Sequence, residues 1–402
     1  MKRIILIIFL ASGMQQAMAQ APRKVLIEEF TGAWCGNCPE MISNIDAVRT
    51  MYPANVIAVA CHGPTSSSPY YEPMANNFTM ALSNSYHVAG YPSVMVDRAD
   101  WSSLIGASST PQLFGIYTNN HNYAEDAVAL RLNVSSPVSI DIVSSYDSTT
   151  RLANITVTAN FVDTASGDMR IICLLVEDKV IGNYTYSQSN YAGHGCDSPV
   201  SSSEFYNYPC EIPTSLTGNV FYHKNVTRIN LAPIWGTTGV VPFSNSAGEH
   251  YSKTYSHTLP SAWNAANMKV VAFIGYYNSG TGLGGEVLNA QEVVLGQTTT
   301  AVAENPSAIN TVYLAAAYPN PFSQITNIKI NTPATQQVSV KVYDTLGHEV
   351  ATLTDEKLSP GEHTLYWDGN SKEGSSLASG LYLIRLQTEK QSLARSIVLD
   401  RN

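Results

Sequence analysis

Two short apolar runs, separated by an amphipathic stretch, place the tightest constraint on this chain. Lys24-Val-Leu-Ile-Glu-Glu-Phe-Thr31 reads as a strand, and Asn55-Val-Ile-Ala-Val-Ala-Cys61 is an unbroken apolar run. Such a run suits a strand buried on both faces, as in a parallel sheet. Between them, Met41, Ile45, Val48 and Tyr52 recur at helical spacing, and Pro53 ends the pattern. Pro73 to Tyr86 predicts a second helix and Ser93 to Asp97 a third strand. Strand, helix, strand, helix, strand is the order of an α/β unit. Thr110-Pro111, with a capping Thr and a Pro at the first helical position, predicts a further helix to about Leu130.

From Val138 the texture changes. Val138–Ile142 and Ile155–Ala159 alternate, and Met169–Val176, His250–Leu259, Met268–Tyr277 and Val287–Leu295 are further strand candidates. Repeated strands with turn residues and little helix predict a β-sandwich. Asn183 to Thr217 is long, irregular and aromatic, and loops of this length are usually functional or stapled. Gln297 to Ala308 lacks periodicity and reads as a linker. Beyond it, Ile325–Ile330, Val338–Val342, His363–Trp367, Leu381–Leu386 and Ser396–Leu399 form a small all-β unit, with a turn at Asp344-Thr-Leu-Gly347.

Only 13% of residues are charged, the net charge is −9, and no block of like charges occurs. Nucleic-acid binding needs clustered Lys and Arg, so that class is excluded. The 44% hydrophobic content supports sizeable cores. Lys2-Arg3, the apolar run Ile4–Ala11 and Ala17-Met18-Ala19 before Gln20 read as a secretory signal peptide. No transmembrane helix is expected in the mature chain, because no internal segment reaches the roughly 18 apolar residues required. Export places the mature chain where disulfides persist.

All six cysteines follow the signal segment. Cys196 and Cys210 flank a Gly-, Ser-, Asn- and Tyr-rich loop, and a disulfide there would contribute about 3 kcal/mol in the chain-entropy account. Cys61 and Cys173 sit within apolar runs and read as buried thiols. The strongest chemical signal is Trp34-Cys35-Gly36-Asn37-Cys38-Pro39, between a strand and a helix. A helix N-terminus favours a thiolate, and a second Cys three residues on can resolve a mixed disulfide. Two bland readings stay open: a disulfide that only stiffens the helix start, and metal binding, although no second Cys-x-x-Cys completes a zinc set.

The segment Glu29-Phe-Thr-Gly-Ala-Trp-Cys-Gly-Asn-Cys resembles the active-site strand and turn of the thioredoxin superfamily, and Val88-Ala-Gly-Tyr-Pro92-Ser-Val resembles its cis-proline loop. The resemblance covers roughly residues 24 to 132. It implies thiol–disulfide exchange in which Cys35 attacks, Cys38 resolves, and Tyr91 with Pro92 presents backbone to a peptide. Glu29 would relay protons, in a place where the superfamily usually has Asp, and Trp34 would shield the disulfide. More narrowly, Val25 to Pro39, Cys61-His62-Gly63, Gly90-Tyr-Pro92, Leu175-Val-Glu-Asp178 and Val271–Gly275 look like the outer-membrane-protein-28-type family of bacterial surface proteins, to about residue 297. Tyr318-Pro-Asn-Pro321 and Ser379-Gly-Leu-Tyr382 resemble the type A sorting domain of type IX secretion cargo. Arg395 stands where that family commonly has Lys. That likeness implies export across the outer membrane, then release or attachment to surface lipopolysaccharide.

The other constellations carry less. His62 and His87 read as hydrogen-bonded structural residues, although His62 ends a strand near the Cys pair. Gly280-Thr-Gly-Leu-Gly-Gly285 is a turn without the Lys and helix of a phosphate loop. His194, Asp197 and Glu204 match no cation-loop spacing. The predicted fold class is multidomain, α/β plus all-β. It comprises a signal peptide over residues 1–19, a thioredoxin-like α/β domain over 20–132, a β-sandwich domain over 133–296, a linker over 297–312 and a small C-terminal β-sandwich sorting domain over 313–402. The expected function is exchange on protein thiols and disulfides with no cofactor beyond the Cys pair, after export by the type IX machinery. The competing class is a non-catalytic surface binding or adhesion protein.

Overall fold

The computed structural model describes residues 21–63, 72–88, 90–101, 123–181, 186–193, 195–196, 209–212, 221–299, 312–314, 317, 320, 322–345, 347–372 and 374–401. The signal segment, the helix start at Thr110-Pro111, His194, Asp197, Glu204, Tyr318, Pro319 and Pro321 lie outside them. The first ten longer strands are β1 Val25–Thr31, β2 Val56–His62, β3 Ser93–Val96, β4 Val138–Asp147, β5 Leu152–Phe161, β6 Met169–Glu177, β7 Val226–Asn230, β8 His250–Thr258, β9 Met268–Asn278 and β10 Leu283–Val294. Among the described residues three α-helices accompany them: α1 Cys38–Met51, α2 Asn77–Ser85 and α3 Tyr123–Leu132.

The expected thioredoxin-like α/β domain beside a separate β-sandwich is corrected by this arrangement. Among the described residues the protein is mostly β, and no thioredoxin-like arrangement is evident there. The strands β1, β2 and β3 belong to one seven-stranded sheet, ordered β10-β9-β6-β7-β2-β1-β3. Only β1–β2 and β2–β7 are parallel; β1–β3, β7–β6, β6–β9 and β9–β10 run antiparallel. The later strands therefore complete the sheet that the first three begin. The sheet curves until its ends meet: Val287 N–H in β10 donates to the Asp97 carbonyl just past β3, at 2.7 Å.

The difference has a physical cause. Every residue of β1 and β2 is buried, as an unbroken apolar run predicts. A strand in a parallel α/β sheet owes this to helices on both faces. Here Val25 and Ile27 pack outward on α1 and α3, while Leu26 and Phe30 face a concave core shared with Ile172, Leu174, Val271 and Phe273 of the later strands. Phe78 and Leu82 of α2 fill that concavity. On the far side, β6 and β9 are covered by the three-stranded sheet β8-β5-β4. A second sheet thus takes the place of the helices that an α/β reading supplies.

Residues 312–401 contain β11 Thr326–Thr332, β12 Gln336–Tyr343, β13 Glu349–Leu358, β14 Gly361–Trp367, β15 Gly380–Gln387 and β16 Ser392–Leu399. The strand Tyr313–Leu314 with β11 and β14 forms one sheet, and β13-β12-β15-β16 forms another. Alternating Val338, Val340, Val342 and Tyr382, Ile384, Leu386 supply the core between them. Phe322, Trp367 and Tyr382 meet there in sequence, the first pair tilted and the second edge to face, each ring centroid 5.3 Å from the next.

Candidate functional site

Cys35 and Cys38 form a disulfide across the turn from β1 into α1, with Cα atoms 5.4 Å apart. Cys38 is the first helical residue and Pro39 follows it, where a missing N–H costs nothing. Asn37 occupies the N-cap without a side-chain cap bond, and Cys38 N–H reaches back to the Cys35 carbonyl at 3.2 Å. Both cysteines are buried, Cys35 at 3% exposure and Cys38 at 0%.

Trp34 and Tyr91 meet edge to face, 5.2 Å between ring centroids. Trp34 Nε1 donates to the Gly63 carbonyl at 3.1 Å, Tyr91 hydroxyl pairs with Ser83 Oγ, and the Tyr91–Pro92 bond is cis. The aromatic residues and the proline loop named from sequence therefore flank the same turn. Glu29 is buried in β1, and burial pushes its carboxyl up to about 8, so it holds a proton at neutral pH. Cys196 and Cys210 form a second disulfide, and Cys61 and Cys173 are buried free thiols.

Other residues at the turn carry no spacing signal. Glu72 sits beneath it, 3.2 Å from His62 Nδ1, and its second oxygen accepts Ala33 N–H at 2.7 Å. His223 lies against His62, ring centroids 5.4 Å apart, and its Nε2 contacts the Tyr186 carbonyl at 2.7 Å. Gln188, fully buried, donates from Nε2 to the Cys35 carbonyl at 2.8 Å. These come from loops whose sequences lack periodicity, and only the aromatic, Cys-bearing character of residues 183–217 hints at a role. Among the described residues no group of three or more His, Cys, Asp or Glu could hold a metal. No helix among them is long and apolar enough to cross a membrane.

Fold and site define a mostly β protein carrying a buried Cys-x-x-Cys disulfide at a helix start. The profile of the family "Outer membrane protein Omp28" matches residues 79–299, more than half the chain, and the chain belongs to that family. It is an outer-membrane or cell-surface protein. The matched residues begin beyond the Cys pair, so membership does not rest on the Cys motif. A FlgD Ig-like domain matches residues 321–392. No curated protein sequence matches the chain. Among solved structures, HBP35 of Porphyromonas gingivalis is similar at 13% identity over 94% of this chain and 99% of that one, with a TM-score of 0.46. A protein of Agrobacterium tumefaciens is similar at 13% identity over 70% and 98%, with a TM-score of 0.37. PorZ of P. gingivalis, a surface component of the type-IX secretion system, is similar at 22% identity over 33% and 15%, with a TM-score of 0.17.

Proposed function

We propose that this surface protein carries out thiol–disulfide exchange on protein substrates through Cys35 and Cys38. The observation that carries the reading is the Cys35–Cys38 disulfide at the first residue of α1, next to Trp34, whose ring meets that of Tyr91 at the cis Tyr91–Pro92 bond. In the reduced state, Cys35 thiolate attacks one sulfur of a substrate disulfide and the other leaves as a thiolate. Cys38 thiolate then attacks Cys35 Sγ in the mixed disulfide and expels the second substrate thiolate. The substrate gains two electrons and the Cys pair becomes the disulfide. Glu29, a buried carboxyl on the strand that leads into the turn, relays the proton that Cys38 gives up, and Tyr91 and Pro92 offer backbone to an extended substrate.

The burial of both cysteines favours a second reading, a structural disulfide in a non-catalytic surface binding protein. One experiment separates the two. The reduction potential of the pair is measured, and a Cys38→Ser variant is probed for trapped mixed disulfides. A potential below about −300 mV, typical of structural disulfides, with no trapped partner rejects exchange.

The Ser379–Tyr382 sequence, opening β15, supports the further proposal that residues 313–402 direct export by the type IX machinery, with release or lipopolysaccharide attachment at the surface. Deleting residues 313–402 is expected to retain the protein in the periplasm. Unchanged surface display would reject the proposal.

A further inference from the structure

The carbonyls of the Cys turn are occupied by one segment of the chain's own backbone. Ser189 N–H donates to the Ala33 carbonyl at 2.7 Å, and Tyr191 N–H donates to the Gly36 carbonyl at 2.8 Å. Between them, Asn190 N–H turns the other way, to the Cys210 carbonyl at 2.7 Å. This alternation is that of an extended strand, whose successive N–H groups point to opposite sides. The Gln188 side chain adds donors to the Gly32 and Cys35 carbonyls. Four carbonyls of the turn, at positions 32, 33, 35 and 36, are thus bound by residues 188–191. The ring of Tyr191 lies so close over Gly36 that a Cβ there would be 2.3 Å from it. The segment is backed by Gln188–Ser189 pairing with Glu211–Ile212, and the Cys196–Cys210 disulfide fastens that backing covalently.

Exchange requires that a substrate sulfur reach Cys35 along a line open to solvent, yet Cys35 is 3% exposed. Addition of an extended strand to free backbone groups is a general mode of peptide recognition. We propose that residues 188–191 occupy the docking edge for an extended polypeptide segment of the substrate, and that the Cys196–Cys210 disulfide is the latch that holds them there. A dithiol opens the latch: its thiolate attacks one sulfur, the Cys196–Cys210 bond breaks, and its second thiol closes the dithiol into a disulfide. Two electrons pass to the protein, and Cys196 and Cys210 become thiols. The segment is then released from the turn, and Cys35 becomes reachable. The identity of the incoming polypeptide rests on the exchange reading above; the latch does not.

The test uses the full chain, dithiothreitol as the dithiol, and timed alkylation read by mass spectrometry. In the wild type, Cys196 and Cys210 are expected to become alkylatable first, and Cys35 and Cys38 after a lag. In the Cys196→Ser, Cys210→Ser double variant the lag disappears and Cys35–Cys38 is reduced about tenfold faster, as when an accessible state rises from a minor to a major population. Equal rates in variant and wild type, or reduction of Cys35–Cys38 ahead of Cys196–Cys210, would overturn the proposal. The buried Cys61 and Cys173 report folding. If they become labelled in the double variant, Gln188→Ala decides: faster reduction supports the latch and an unchanged rate rejects it. A latch-dependent rate with a potential in the structural range would sink the exchange reading alone. A higher potential with a latch-independent rate would sink the latch alone.

Discussion

The Glu72 carboxylate ties His62 to the Cys turn: one oxygen lies 3.2 Å from His62 Nδ1 and the other accepts Ala33 N–H at 2.7 Å. Burial opposes its ionisation, but the adjacent His62 and the Ala33 N–H hold the carboxyl below its usual value of 4.5. The stability it contributes is present above that value and is lost as pH falls through the lowered one. Glu72→Ala leaves buried donors without their acceptor, at about 1–3 kcal/mol each. The urea midpoint at pH 7 should fall accordingly. Glu72→Gln, which keeps an acceptor for Ala33, should recover part of the loss.

His223 gives a second acid-sensitive element. Burial, reinforced by repulsion from His62, pushes its imidazole down to about 3 from 6.5. The unfolded chain binds the proton more readily, so stability is complete above pH 6.5 and declines as pH falls toward 3. Urea midpoints taken at several pH values should show that decline. His223→Gln should flatten it, and an unchanged slope would contradict the assignment.

Glu29 slopes the other way. Its carboxyl is raised by burial to about 8, so its contribution is present below pH 4.5 and is lost as pH rises through 8. Glu29→Gln should therefore melt higher than the wild type above pH 8, by several degrees at about 2–4 °C per kcal/mol for a domain of this size. Below pH 4.5 the two should melt alike. Together, His223 and Glu29 place the stability maximum between acid and alkaline limits, where neither group is forced to ionise.

Arg98 sits in the curved sheet's interior, paired to both oxygens of Glu28 at 2.7 and 2.6 Å. Its guanidinium also lies 5.1 Å from the Phe273 ring centroid and 5.9 Å from that of Trp235. Removing one member of such a pair strands a buried charge, at about 3–5 kcal/mol. Arg98→Ala should show a loss of that size in urea unfolding. Combining Arg98→Met with Glu28→Leu should recover most of it, since an apolar pair of similar volume is often neutral.

The elements with strong periodicity were legible in sequence. The amphipathic spacing of Met41, Ile45 and Val48 marks α1, and the alternation in β4 and β5 marks a sheet with one packed face. The sheet's membership was not legible. A fully buried strand carries no record of whether a helix or another sheet covers it, and β2 reads alike in either case. The strand β13 carries no strand signal because it buries only Ala351 and Thr354, so its sequence, Glu349 to Leu358, looks like a charged loop. Of the site, the Cys pair and its aromatic neighbours were legible through a local motif. Glu72, Gln188 and His223 were not, because each reaches the turn from a distant loop by a contact that spacing does not encode.

The contacts of residues 188–191 with the Cys turn also govern when that turn can be finished. Translation delivers residues 35 and 38 early, but Gln188, which binds the Cys35 carbonyl, follows 153 residues later. Until then the two sulfurs lie in a half-built turn without the segment that covers it. Agents that act on these sulfurs during maturation therefore meet a different neighbourhood from the one they find in the finished protein.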